Sequence, residues 1–140
     1  MRLRAALASL PLASLLLAGC GCEGRAFTVR RAGAAVAEGC AEVADTAAAR
    51  ATGLVGRDPL AAGSALWLQF PMVTEACIVN RGVRFAITVA YASPDGRVTA
   101  VERAFPAGDP VARCHDDVQH AVEWSAANAP DVRVGDTLAW

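Results

Sequence analysis

The densest run of chemically capable side chains is Cys114-His115-Asp116-Asp117-Val118-Gln119-His120. Imidazoles and carboxylates are ordinary ligands of Zn²⁺ and other divalent cations, so His115, Asp117 and His120 are the candidate metal ligands. The two histidines are five residues apart, a spacing that suits neither one helical face nor one strand face. The HExxH spacing is also missing. A thiol beside an imidazole has the make-up of a nucleophile–base pair, but adjacent residues seldom aim both side chains at one point. An exposed polar loop explains the run better than a catalytic or metal centre. No catalytic residue and no cofactor is assigned.

A second group consists of Asn80, Arg81, Arg50 and Arg57. An amide and guanidinium groups offer directional donors to a small polar ligand. The structural alternative is that Asn80 satisfies turn backbone groups and Arg81 is solvated. Arg50 and Arg57 would then pair with Asp45, Asp58 or Glu123 and hold a helix against a sheet. That alternative is preferred. Glu75, Glu102 and Glu123 could include a general acid–base pair, but their separations are not legible in sequence. Trp67, Trp124 and Trp140 suit core and rim packing better than a ligand platform, with Trp140 as a lid over one end.

The elements that must position these groups centre on Leu66–Glu102. Phe85, Ile87, Val89 and Tyr91 alternate with Ala86, Thr88 and Ala90, the period of two of a β-strand. Ser93-Pro94-Asp95-Gly96 supplies a turn, and Val98 and Ala100 continue on a return strand. Leu66–Phe70 reads as a strand stopped by Pro71, and Glu75–Val79 as another. Asp45-Thr46 offers an N-cap to a short helix over Ala47–Thr52, ended by Gly53. Val118–Trp124 reads as a strand, Val132–Asp136 as a turn and Thr137–Trp140 as a closing strand.

The chain has 140 residues, enough for one domain. All 13 basic residues are Arg, against 14 acidic ones. Without residues 1–19 the balance is 11 to 14, which argues against nucleic acid as a partner. With no Lys there is no Walker-type phosphate loop.

The N-terminus carries Arg2 and Arg4, then the apolar stretch Ala5–Ala18, too short for a membrane span of about 20 residues. It ends Leu17-Ala18-Gly19-Cys20, which resembles the bacterial lipoprotein signal. The resemblance implies cleavage before Cys20, lipidation of Cys20 and a membrane anchor of several acyl chains. Gly21 in the next position points to the periplasmic face of the outer membrane in a diderm cell. Four cysteines then remain in an exported chain: Cys22, Cys40, Cys77 and Cys114. An even number suggests disulfides. Three pairings are possible. Cys22–Cys40 with Cys77–Cys114 is preferred because it closes two separate local loops; free thiols and a redox pair stay open as alternatives. Residues 20–39 read as the lipidated Cys and a loose tether that could include one edge strand around Phe27–Val29.

Residues 40–140 resemble the DUF192 family of small, mostly β domains of unassigned activity. Glu42–Thr46 fits its opening strand and helix cap. Arg50, Gly53, Leu54 and Arg57 fit its Arg-x-x-Gly-Leu-Met-x-Arg pattern, with Val55 in place of Met. Leu66 and Phe70 lie in its next hydrophobic strand. Cys77-Ile78-Val79-Asn80-Arg81 stands where Trp-Met-Lys-Asn-Thr is usual, and Ala86 where Asp is usual. Asp95–Val98, Cys114, Val122-Glu123-Trp124 and Val134-Gly135-Asp136 fit the later motifs. The expected fold is therefore mainly β with one or two short helices, a small partly closed barrel or curled antiparallel or mixed sheet. The expected function is a non-catalytic envelope lipoprotein that binds a protein partner or a small polar ligand. The alternative is a small hydrolase or metal-dependent enzyme using the Cys114–His120 segment.

Overall fold

The structure, a computed structural model, describes residues 21–140. The signal segment and the lipidation assigned to Cys20 lie outside the described residues. Seven strands form one mixed sheet: β1 (Arg25–Arg31), β2 (Ala34–Ala44), β3 (Ser64–Ile78), β4 (Ile87–Ala92), β5 (Val98–Phe105), β6 (Arg113–Ser125) and β7 (Thr137–Ala139). The spatial order is β5-β4-β6-β3-β2-β1-β7. Only β2 and β3 pair in parallel, so a crossover must join them, and it carries the helix α1 (Ala47–Thr52).

Residues 25–39 are part of this sheet, which corrects the expected tether. Phe27 and Val29 are buried on alternate positions of β1, and Ala32-Gly33, both with positive φ, make a two-residue turn into β2. β1 lies between β2 and β7 and is not an edge. Pro71 does not end a strand either. It falls where the β3–β6 register shifts between Gln69 and Thr74, an irregularity that tolerates a residue without an N–H, so β3 runs on to Ile78.

The sheet curls. One core cluster draws buried residues from all seven strands, among them Val29, Ala41, Trp67, Ala90, Val98, Trp124 and Leu138, and so lies inside the curl. At one end the outer strands meet through an Arg97–Thr137 bridge, with Leu138 N–H donating to Gly96 C=O at 2.8 Å. They do not pair along their length, so the sheet stays open. A second cluster covers the outer face with Leu66, Leu68, Ile87, Val89 and Tyr91 from the sheet and Leu54 and Val83 from the connections above it. Strand β4 is therefore buried on both faces, Ile87, Val89 and Tyr91 outward and Ala90 and Ala92 inward.

Helix α1 forms where its caps predict. Thr46 Oγ1 accepts from Ala49 N–H at 3.1 Å, and Gly53, at φ +49°, stops the helix. Cys22–Cys40 ties the segment before β1 to β2, and Cys77–Cys114 bridges directly opposed residues of β3 and β6. Two disulfides fit an oxidising, exported environment. No helix among the described residues is long and apolar enough to cross a membrane.

Candidate functional site

The Cys114–His120 segment is not a loop but the first half of β6. Its side chains are divided between the two faces of the sheet. His115 packs on Tyr91 of the outer cluster and contacts Glu102 through Nε2 at 2.9 Å. His120 packs among Trp67 and Trp140 on the inner side. Asp117 is exposed, at φ +59°. The three expected metal ligands therefore do not converge, and Cys114 is in a disulfide, which removes the thiol of a Cys–His pair. Glu75, Cys77 and Cys114 do place ligand atoms within 4.8 Å of one another, but both sulfurs belong to that disulfide.

A cavity of about 160 Å³ lies on the outer face, between the end of α1 and the ends of β3 and β4. Leu54, Leu68, Ile78, Val83 and Ile87 give it apolar walls; Arg50, Asn80, Arg81 and Glu123 supply its charged and hydrogen-bonding groups. It brings together three of the four expected ligand-binding residues. Arg57 is outside the lining but close enough to Glu123 for its charge to be felt.

Asn80 is fully buried. Its Nδ2 donates to the backbone carbonyls of Phe85, Phe105 and Pro106 at 3.0, 3.2 and 2.8 Å, so the amide knots two connections together. Its Oδ1 is buried without a partner. Arg50 donates to the carbonyls of Asp45 (2.7 Å) and Gln69 (2.9 Å) and lies over the Phe70 ring. It clamps α1 to β3 through backbone carbonyls rather than through the carboxylates of Asp45, Asp58 or Glu123 that the sequence reading offered as partners. Arg57 is also structural: it grips Glu42 through both terminal nitrogens. Arg81 is exposed and makes no hydrogen bond or ion pair among the described residues.

Glu123 is the functional candidate that the sequence reading left out of the site. It sits in β6 opposite Leu66 of β3 and Val89 of β4, on the outer face, and is only 4% exposed. Its carboxyl has no hydrogen-bond partner among the described residues. Burial raises its pKa to about 7, against a weaker lowering by Arg57. The signal was present in Ala121-Val122-Glu123-Trp124, an acid inside an unbroken apolar run. Of the other two glutamates considered as acid–base partners, Glu102 is held by His115 and Glu75 is exposed beside Cys77.

At the inner end, Trp67 and Trp124 are core residues and Trp140, half exposed, covers Trp67 and His120. The Arg25 guanidinium lies over Trp67 and Trp140 and donates to Gln69 Oε1 at 2.7 Å. The chain's own cation therefore covers one side of the Trp67 and Trp140 rings.

The family model for DUF192, described as "Uncharacterized ACR", matches residues 28–140. The chain belongs to the DUF192 family. Its match begins within β1, in keeping with a domain that starts well before residue 40. Among curated proteins, none matches the DUF192 chain. Two crystal structures share its fold. One is a protein of unknown function from Novosphingobium aromaticivorans DSM 12444, with TM-score 0.71, 18% identity, and coverage of 82% of this chain and 84% of that one. The other is a Sinorhizobium meliloti 1021 protein whose name proposes a transcription regulator, with TM-score 0.73, 16% identity, and coverage of 81% and 91%. At these identities the likeness concerns the fold alone.

Proposed function

We propose that this DUF192 protein is a non-catalytic binding domain of the cell envelope that takes a small polar ligand into the Glu123 cavity. One observation carries the reading: the Glu123 carboxyl, 4% exposed and without a hydrogen-bond partner among the described residues, lines a cavity. A buried polar group is normally hydrogen-bonded, and leaving it unpaired costs about 1–3 kcal/mol or more for a charged group. A ligand that donates to Glu123 recovers that energy. The cavity is smaller than the roughly 300–1,000 Å³ of drug-sized pockets, so the ligand is a molecule of few heavy atoms. The two disulfides and the lipoprotein-like N-terminus support export and anchoring through Cys20, with the outer membrane favoured by Gly21. The hydrolase or metal-enzyme alternative is weakened because His115 and His120 lie on opposite faces of the sheet, Asp117 does not join either in a ligand group, and Cys114 is oxidised.

The test is a ligand-observed NMR screen of small polar compounds against the full-length protein and Glu123→Gln. The expected result is at least one compound whose binding weakens at least tenfold in the variant. If every compound that binds does so equally to both proteins, the cavity is not a Glu123-anchored site. Radiolabelled lipid incorporation, abolished by Cys20→Ser, tests the anchor.

A further inference from the structure

The Glu123 carboxyl lines this cavity, is 4% exposed and has no hydrogen-bond partner among the described residues, so it is an acceptor that meets no donor. Asn80, also in the lining, is fully enclosed with its amide turned to the Phe85, Phe105 and Pro106 carbonyls, and it offers the cavity no free group. The cations nearby are committed elsewhere: Arg50 to two backbone carbonyls and the Phe70 ring, Arg57 to Glu42. A buried carboxylate is stable when a donor or cation meets it, and among the described residues neither bonds to Glu123. Arg81, the remaining charged group of the lining, is exposed and has no hydrogen-bond or ion-pair partner among the described residues. It sets a positive charge at the solvent side of the cavity, which repels a simple cation and attracts an anion.

We infer that the ligand is a small zwitterion of the amino-acid type, its ammonium seated at Glu123 and its carboxylate at Arg81. The inference rests on the ligand-binding reading above and names the ligand class of that same site. An ammonium offers donors and a charge, so it meets the Glu123 carboxylate both as hydrogen-bond partner and as counter-ion. A hydroxyl would leave the carboxylate charge uncompensated. The guanidinium matches a carboxylate in a two-pronged pair. The carbon part of the ligand lies against Leu54, Leu68 and Val83. Bringing a cation to Glu123 favours its ionised form, so binding near neutral pH releases protons.

Isothermal calorimetry on the full-length protein in detergent tests this. The probes are glycine, 3-aminopropionate and 4-aminobutyrate, with ethylammonium, acetate and glycerol as controls. The expected result is that at least one zwitterion binds and the controls do not. Its affinity falls at least tenfold in both Glu123→Gln and Arg81→Gln. The binding enthalpy of that zwitterion also varies with the ionisation enthalpy of the buffer, the sign of proton release. Arg81 is exposed, so that variant is expected to fold even if Glu123→Gln does not. Glycerol bound through Glu123, with the zwitterions silent, overturns the inference and leaves the ligand reading standing. So does ethylammonium bound without dependence on Arg81, or any other screened compound bound through Glu123 while all zwitterions fail. Zwitterion affinity unchanged in both variants overturns the inference. If no compound in this set or the wider screen binds through Glu123, both readings fall together.

Discussion

Arg57 grips Glu42 at 2.6 and 2.8 Å and so leaves Glu123, whose carboxyl feels the same guanidinium, without a bonded cation. The exposed Glu42 has the hydrogen bonds, and they hold its pKa below the ordinary carboxylate value. The buried Glu123 has only the longer-range attraction, and burial wins. A cation was available to neutralise Glu123, and the fold directs it elsewhere.

The first prediction concerns pH. Glu123 titrates near 7 in the folded chain against an ordinary value of 4.5, so the folded state holds the proton more tightly than the unfolded one. Its contribution to stability is fully present below about 4.5 and is lost as pH rises through 7. A shift of this size corresponds to on the order of 3 kcal/mol. Glu123→Gln keeps the shape and cannot ionise. Its stability relative to wild type should therefore rise by about that amount between pH 4 and pH 8, read by denaturant unfolding. Glu42→Gln should free Arg57, lower the Glu123 pKa and shrink the gap. A gap that does not change with pH would show that Glu123 is ionised as readily folded as unfolded.

The second prediction has the opposite sign. Trp67 Nε1 donates to His120 Nδ1 at 3.2 Å, both side chains being buried. Nδ1 therefore accepts, and the neutral ring carries its proton on Nε2. Burial is the main cause that lowers the His120 pKa. This contribution is fully present above the ordinary 6.5 and is lost as pH falls through the lower folded value. Nitrogen NMR at pH 7.5 should find the Nε2–H tautomer, and an Nδ1–H ring would refute the arrangement. Trp67→Phe removes the donor and should destabilise the domain by about 1–3 kcal/mol from the unpaired nitrogen, before any packing loss.

Local signals in the sequence located the elements whose stability is local. Thr46 and Gly53 mark the ends of α1, and alternation marks β4, because capping and pleat are written within a few residues. One edge strand was allowed in the segment before residue 40, but not an internal β1 with β2 beside it, since Ala32-Gly33 lacks the usual Asn-Gly or Asp-Gly hairpin signature and the second partner, β7, lies more than 100 residues away. Pro71 misled because a bulge, visible only in register, tolerates it. At the site, Asn80, Arg81 and Arg50 were legible as residues of directional chemistry. Glu123 was not singled out, since its character comes from what fails to meet it, and sequence does not show where Arg57 turns. The five-residue spacing of His115 and His120 already argued against one strand face, and β6 sends them to opposite faces.

The third prediction tests the closure of the curl. Gly96 adopts φ +83°, and a Cβ there would stand 2.2 Å from the Leu138 carbonyl oxygen. Neither atom is the tip of a flexible side chain, so the backbone has to move. Gly96→Ala should cost at least about 1–3 kcal/mol, combining strain in the left-handed region with overpacking. The damage should be local first. Hydrogen exchange should accelerate at the Leu138 amide, which donates to Gly96, before it does at the centre of β6. Uniform acceleration along all strands would mean that the bridge between the outer strands does not form a separate opening unit.

The fourth prediction compares the two disulfides. Cys77–Cys114 closes a separation of 37 residues and joins opposed positions of β3 and β6, whereas Cys22–Cys40 closes 18 and holds a segment that precedes β1. In the chain-entropy view each restricts the unfolded state, worth roughly 3–4 kcal/mol, and doubling the loop adds only about 0.6 kcal/mol. Loop length alone therefore makes the pair nearly equal. The folded state separates them. Breaking Cys77–Cys114 leaves β3 and β6 still paired on both sides of the bridge, so the native structure changes little and the full unfolded-state effect should appear as a lower denaturation midpoint. Breaking Cys22–Cys40 also releases residues 21–24, which can fray without unfolding the sheet, so part of the effect should vanish into local disorder. Cys77→Ser with Cys114→Ser should thus lower global stability more than Cys22→Ser with Cys40→Ser, by more than the 0.6 kcal/mol that length supplies. Denaturant unfolding of the two double variants beside the oxidised wild type gives the comparison. An equal loss in both would show that the segment before β1 is as much part of the cooperative unit as the centre of the sheet.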